Sequence, residues 1–257
     1  MNIKMIVTDL DGTLLHSDTA ISDYTISILK KCREKCIKVV YATARDNSAT
    51  IPALSELVDG FVRNNGAKAC IGNTLVYSRI VPVNNVRNLL VAAENAGAKI
   101  TAENNGIYYA NFNATKICWW IQQHENADFN TLDIEAEKLY IIADTINQSE
   151  GEKLINKYLP NDLDEIFING MSLILIKHKE AIKSNGVAAL AEHWGIKQSE
   201  IVAFGDSEID IDLLEYCGIG IAVGNAPDEI KAVADYICET NDNDGVAKWL
   251  EEHILKA

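Results

Sequence analysis

The sequence predicts an α/β fold: a parallel-sheet core interrupted by an inserted α+β domain. Three observations predict it. Apolar strands and amphipathic helices alternate from Ile3 to Tyr77, as they do where helices cross between parallel strands. The same alternation returns at Lys183 and continues towards the C-terminus. Between the two lies a stretch that mixes strands and helices without that order. The expected division is a core built from residues 1–82 and 181–257, with an α+β domain inserted at 83–180. At 257 residues and 48% hydrophobic content, the chain suffices for a large core and a smaller one.

Each element has its own signal. Residues 3–8 are apolar and β-branched apart from Lys4 and Met5, the pattern of a buried strand. Residues 21–34 set Ile26, Leu29 and Cys32 three apart, a helical stripe. Residues 37–42 (IKVVYA) are a second strand, and 47–58 a second helix whose first half Pro52 disturbs. Residues 61–63 are a third strand ending at Asn64-Asn65-Gly66, followed by a hairpin, 69–71 and 74–77, about Gly72-Asn73. In the inserted stretch a helix over 84–96 leads to strands at 99–102 and 107–110, a helix over 115–125 and a strand over 138–143. A helix follows the capping-box pattern Ser149-Glu150-Gly151-Glu152, and residues 172–176 form the next strand. The core resumes with a helix over 183–194 that aligns Val187, Leu190, Ala191 and Trp194, and a strand over 201–204 that ends at Gly205-Asp206. A helix to Cys217, a strand over 218–223, a helix from Pro227 and a last helix over 245–254 complete the chain.

Charge and composition exclude some functions. A formal net charge of −14 repels a phosphate backbone, so no nucleic-acid partner is expected. A small anionic substrate is compatible with that charge wherever a cation sits locally. No stretch approaches the roughly 18 apolar residues of a membrane span, and the run from Met5 to Val7 is too short for a secretory leader. Cys32 and Cys36 lie four apart, but no Cys or His follows at metal-site spacing. Free thiols and a reducing, cytoplasmic compartment are the expectation. Among the histidines, His16 is a candidate for the mouth of a site, and His124, His178, His193 and His253 read as structural or solvated. Trp119 and Trp120, adjacent on a helix, would diverge by about 100°, one to the core and the other to a pocket or interface.

The chemistry concentrates where strands end. Asp9 and Asp11 follow the first strand and, two apart, would share a face if the strand ran on. Two neighbouring carboxylates repel, so a shared proton, a cation or a basic neighbour has to compensate. A surface Asp-Gly turn is the competing reading. VTDLDGTLL resembles the first motif of the haloacid dehalogenase-like phosphohydrolases. Further stretches match that family in order. Thr43-Ala44-Arg45 resembles its Thr-Gly-Arg strand end, with Ala44 for Gly. Lys183-Ser184-Asn185-Gly186-Val187 through Gly195-Ile196 resembles its lysine helix, with Ser184 and Gly186 at changed positions. Gly205-Asp206-Ser207-Glu208-Ile209-Asp210 resembles its acidic fourth motif, with Ile209 for the usual Asn. Asn64-Asn65-Gly66-Ala67, Gly224-Asn225-Ala226 and Asn241-Asp242-Asn243-Asp244-Gly245 resemble loops of its Cof-type branch.

The resemblance implies a Rossmann-like core with the larger inserted cap of that branch. It implies a Mg²⁺-dependent phosphatase acting on sugar phosphates or similar small phosphorylated metabolites through an aspartyl-phosphate. Asp9 would be the nucleophile and Asp11 the general acid and base. Thr43 and Lys183 would cradle the phosphate, and Ala44, Arg45 and Asn65 would meet the substrate. Asp9, Asp11 (through its carbonyl), Asp206 and Asp210 would serve the metal. A monomer or weak homo-oligomer with no membrane partner is expected. Two alternatives stay open: a phosphotransferase or phosphomutase on the same core, and a HAD-like binding protein whose catalysis has faded, favoured only by Ala44, Ser184 and Ile209.

Overall fold

The computed structural model describes residues 2–46, 52–142, 148–168 and 173–256. The chain opens with β1 (Met5–Thr8), α1 (Asp23–Glu34), β2 (Lys38–Ala42), α2 (Pro52–Ser55), β3 (Gly60–Arg63), β4 (Lys68–Ile71) and β5 (Thr74–Ser78). The middle of the chain gives β6 (Val81–Pro82), α3 (Val83–Asn95), β7 (Lys99–Asn104), β8 (Ile107–Ala110), α4 (Ala114–Ile117), β9 (His124–Asn126), β10 (Glu135–Ala136), β11 (Lys138–Ile142), α5 (Gln148–Tyr158), β12 (Leu163–Ile168) and β13 (Leu173–His178). Then come α6 (Lys183–Trp194), β14 (Ile201–Gly205), α7 (Ile211–Tyr216), β15 (Ile219–Ala222), α8 (Asp228–Val233), β16 (Tyr236–Ile237) and α9 (Gly245–Leu250). Two compact units result: residues 1–45, 49–78 and 182–257 in one, and 46–48 with 79–181 in the other.

The first unit is built on an eight-stranded sheet in the order β16-β15-β14-β1-β2-β3-β4-β5. The strands from β16 to β3 run parallel, and β4 and β5 turn back as the antiparallel hairpin. β1 is buried at every position, as an apolar run between two neighbours must be. The chain leaves β1 for β2 and β3 on one side and later fills β14, β15 and β16 on the other. β1 therefore flanks the reversal of strand order, where open parallel sheets form a crevice beyond their carboxyl ends. Helix α1 shows why the local sequence suffices. Ser22 caps it by accepting from Thr25 N–H at 3.0 Å, and Thr25, Ile28, Leu29 and Cys32 bury one stripe.

The second unit holds a six-stranded sheet, β12-β13-β11-β7-β8-β9, antiparallel except where β9 joins β8 in parallel, and a short β6–β10 pair. One core joins Val86, Leu89 and Leu90 of α3 and Ile155 of α5 to Ile100, Leu139 and Ile176 of the sheet. A smaller cluster joins Tyr108 and Ala110 of β8 and Cys118 and Ile121 after it to Ile142 of β11 and Leu173 of β13. The helix expected over 115–125 is not there. α4 lasts four residues, Cys118 leaves helical geometry at φ −104° and ψ 100°, and 124–126 pair with the sheet edge at Tyr108–Ala110. Breaking there buries Cys118 and Ile121 together, and it leaves Trp119 82% exposed and Trp120 edge-on to Tyr140. β12 was missed because Asp164 and Glu165 interrupt its apolar run; it is an edge strand and tolerates them. The capping-box side chain of Ser149, residues 47–51 of the second predicted helix, Ala143 and Ser172 lie outside the described residues.

Glu103 on β7 is fully buried and accepts from Gly106 N–H at 2.6 Å. Burial, and then the nearby Glu137 carboxylate, push its pKa from the ordinary 4.5 up to about 7. The folded state thus holds a proton that the unfolded chain releases. The stability this contributes is complete below pH 4.5 and is lost as pH rises through 7. Glu103→Gln keeps the acceptor and removes the ionisation. The variant is expected to unfold at higher urea than wild type at pH 8, by up to about 3 kcal/mol, with little difference at pH 4.5. The same difference at both pH values would contradict this.

Candidate active site

Three carboxylates and one ammonium form the centre of the first unit. Asp9 follows β1 directly, Thr43 follows β2, and Asp206 follows β14, so adjacent parallel strands deliver them to one sheet edge. One carboxylate oxygen from each of Asp9, Asp206 and Asp210 lies within 4.8 Å of the other two. Lys183, the first residue of α6 and 1% exposed, donates from Nζ to Asp9 Oδ1 and Asp210 Oδ1, both at 2.6 Å.

Each carboxylate is held differently. Asp9, 5% exposed, has its pKa pushed up to about 7 by burial, against the Lys183 ammonium that favours the charged form. Asp210 is fully buried in the 3₁₀ turn 208–210. Its Oδ2 accepts from Asp206 N–H (3.2 Å), Ser207 N–H (3.1 Å) and Ser207 Oγ–H (2.8 Å). Both of its oxygens are therefore engaged. Asp206 accepts from Thr13 Oγ–H at 2.7 Å on Oδ1, and burial raises its pKa. Among the described residues no hydrogen bond reaches Asp9 Oδ2 or Asp206 Oδ2.

Asp11 does not stand beside Asp9 on a strand face. β1 stops at Thr8, and residues 10–14 curl into a tight turn with Asp11 at φ −73° and Gly12 at φ +76°. The period-two inference required a strand that has already ended. Gly12 suits the turn twice over: its φ is left-handed, and a Cβ there would lie 2.6 Å from Asp206 Oδ2. Asp11 is exposed, and Arg45 forks onto it, Nε to Oδ2 at 2.6 Å and a terminal nitrogen to Oδ1. Asp11 side-chain oxygens are not in the carboxylate cluster.

Thr43 is buried. Its Oγ1 accepts from Arg45 N–H at 3.1 Å, and its carbonyl accepts from Asn65 N–H at 3.1 Å. Ala44 does not need left-handed backbone, so the change from Gly is free of strain. Asn65 does adopt it, at φ +54°, and its buried Oδ1 has no hydrogen-bond partner among the described residues. Gly186 has a reason in this chain: a Cβ there would lie 2.7 Å from Val62 Cγ1. Ser184 N–H donates to Asp212 Oδ2 at 2.8 Å, satisfying one of the free amides at the start of α6. Ile209 is exposed, with no polar role. His16, a candidate for the mouth, is 3.0 Å from Asp244 through Nε2. Thr13 went unassigned in the sequence, although it ends the Asp-x-Asp-Gly-Thr stretch that gave the first signal.

The family model for haloacid dehalogenase-like hydrolases matches residues 6–250. A 5-amino-6-(5-phospho-D-ribitylamino)uracil phosphatase of Bacillus subtilis is 28% identical, the match covering 99% of this chain and 97% of the relative. A phosphoglycolate phosphatase of Methanosarcina acetivorans is 27% identical over 98% and 96%. Among solved structures, a HAD-superfamily phosphatase from Bacteroides thetaiotaomicron superposes with a TM-score of 0.81 at 26% identity, covering 97% of this chain and 94% of that one. A HAD subclass IIB sugar phosphatase gives a TM-score of 0.77 at 25% identity, covering 97% and 98%.

Lys183→Met removes the only ammonium in contact with Asp9 and Asp210 among the described residues. It leaves two buried carboxylates facing one another. Urea unfolding at pH 8 is expected to show a loss of about 3–5 kcal/mol. An unchanged midpoint would contradict the arrangement.

Proposed function

The chain belongs to the haloacid dehalogenase-like hydrolases, and from that premise we propose that it is a Mg²⁺-dependent phosphomonoester hydrolase working through a phosphorylated Asp9. As a phosphatase of that family it takes a small phosphorylated substrate. The observation that carries the reading is the Lys183 ammonium 2.6 Å from both Asp9 and Asp210, beside Asp206. A buried cation there serves two ends. It favours the ionised form of a nucleophile that burial alone would protonate, and it offers a positive point charge to an incoming phosphate.

Asp9 attacks phosphorus in line with one carboxylate oxygen, giving an aspartyl-phosphate and a leaving alkoxide. Protonated Asp11 gives its proton to that alkoxide. Asp11, now ionised, takes a proton from water, whose oxygen attacks phosphorus and releases phosphate, restoring Asp9. For both transfers Asp11 has to leave the Arg45 fork, which makes Arg45 a partner of the resting site and a ready contact for substrate anion. Thr43 Oγ1 accepts from Arg45 N–H, which keeps its proton for a phosphate oxygen. Asn65 Oδ1, without a partner among the described residues, is suited to a substrate hydroxyl or amine.

The residues fit Mg²⁺. The donor set is all oxygen, and once the three carboxylates are ionised the one ammonium leaves two negative charges, matched by a divalent cation. Asp9 and Asp206 would hold the ion with the Asp11 carbonyl. Asp210, with both oxygens engaged, would act from outside by fixing Lys183 and the 206–207 backbone. When bound, the ion screens the anionic nucleophile from the anionic substrate and polarises the phosphoryl group. Sugar phosphates and similar small phosphorylated metabolites are the proposed class. The related enzymes' own substrates, a phosphoribityl compound, phosphoglycolate and sugar phosphates, support it.

The test is phosphate release from a panel of sugar phosphates and p-nitrophenyl phosphate, for wild type and Asp9→Asn, with Mg²⁺ or EDTA. Release is expected only with Mg²⁺ and to fall by at least about a thousandfold in Asp9→Asn. Equal release with EDTA, or from the variant, would overturn the reading.

A further inference from the structure

The turn that follows the nucleophile is gripped from one side by the C-terminal part of the core. Asn225, just after Gly224, donates from Nδ2 to Gly12 O at 2.7 Å, and its Oδ1 accepts from Asn241 N–H at 3.0 Å. Asn241 is 5% exposed and donates from Nδ2 to Leu15 O at 2.9 Å. Asp244 Oδ1 meets His16 Nε2 at 3.0 Å and accepts from the Ser22 and Thr25 hydroxyls at 2.6 and 2.9 Å. The carbonyls of Gly12 and Leu15 and the ring of His16 are thus tied at three points of one short loop.

The other side of the same loop touches the acidic cluster. Thr13, buried, donates to Asp206 Oδ1 at 2.7 Å, and Gly12 leaves no room for a Cβ against Asp206 Oδ2. A movement of residues 12–15 therefore changes how Asp206 is held. Asparagine suits position 225 because its one side chain offers a donor and an acceptor, and there it bridges a carbonyl and an N–H. The second amide, at Asn241, is buried where water does not compete for Leu15 O.

We propose that Asn225 and Asn241 are positioning residues: a two-amide clamp that fixes the 10–15 turn and, through Thr13, presents Asp206 with one oxygen directed to the metal. This rests on the Mg²⁺ reading of the site. Hydrogen bonds to a ligating carboxylate set its orientation, and their loss typically costs about 10–100-fold in metal affinity or activity. The clamp gives that outer layer a definite anchor in the Gly-Asn-Ala and Asn-Asp-Asn-Asp-Gly stretches, which otherwise stay without a task.

Asn225→Asp separates the bonds. It keeps an acceptor for Asn241 N–H and sets a carboxylate oxygen against the Gly12 carbonyl. Amide hydrogen exchange, without metal or substrate, is expected to rise about tenfold in peptides covering 10–16 and to stay at the wild-type level in β1 and β14. Calorimetric titration of Mg²⁺ is expected to show a Kd raised about tenfold in Asn225→Asp and in Thr13→Val, restored in Thr13→Ser. With saturating Mg²⁺, KM should stay within about twofold of wild type while kcat falls. Wild-type exchange at 10–16, a rise spread evenly over β1 and β14, or an unchanged Mg²⁺ Kd in both variants would overturn the clamp. Should Asn225→Asp fail to fold, Asn241→Asp, which sets a carboxylate oxygen against the Leu15 carbonyl, is put through the same exchange and Mg²⁺ measurements with the same deciding outcomes. A wild type that binds no Mg²⁺ overturns the metal reading, and the exchange result tells that failure from failure of the clamp.

Discussion

The rest of the site depends on one constraint: a lysine ammonium buried between two carboxylates. Lys183 is almost wholly out of water, and so is each carboxylate it meets. A buried ion is tolerated only when paired and hydrogen-bonded, so the elements that carry these groups cannot drift apart cheaply. The lysine itself is out of place by helix electrostatics, since the first turn of α6 already carries partial positive charge. Asp9 and Asp210 on one side, and Asp212 accepting from Ser184 N–H on the other, supply the negative charge that makes a lysine acceptable there.

That pairing needs close approach, and two glycines make room for it. Gly186, in the first turn of α6, sits where any Cβ would run into Val62 of β3, so the helix can lie close enough on the sheet for Lys183 to reach the cluster. Gly12 lets the turn after β1 fold back against Asp206. The parallel order of β14, β1 and β2 then brings Asp206, Asp9 and Thr43 to one edge without further help from the loops. Chemistry and topology meet here: the strand order fixes which residues are neighbours, and Lys183 fixes their charge.

Much of this was legible because the informative residues fall at strand ends and a helix start, where spacing and hydrophobic pattern agree. Asp9, Thr43, Lys183 and Asp206 all follow or open an element whose bounds the apolar pattern gave within a few residues. The relation of Asp11 to Asp9 was not legible, because it hung on whether the strand ended at Thr8 or ran on, and local apolarity does not settle that. The second unit was harder for a similar reason. Cys118 and Ile121 have helical spacing, yet both bury when the chain leaves the helix at Cys118 and extends along the sheet edge. Tertiary pairing overrode local preference there. Bonds such as Asn225 to Gly12, 213 positions apart, have no local signature at all.

The role proposed for Asp9 is to carry the phosphoryl group. Its most direct test is an acid quench during turnover with a good substrate, followed by borohydride reduction and peptide mapping. Reduction of an acyl phosphate turns the aspartate into homoserine. Homoserine is expected at position 9 in wild type, none without substrate, and none at position 11. Homoserine at another position, or none while phosphate is being released, would contradict it.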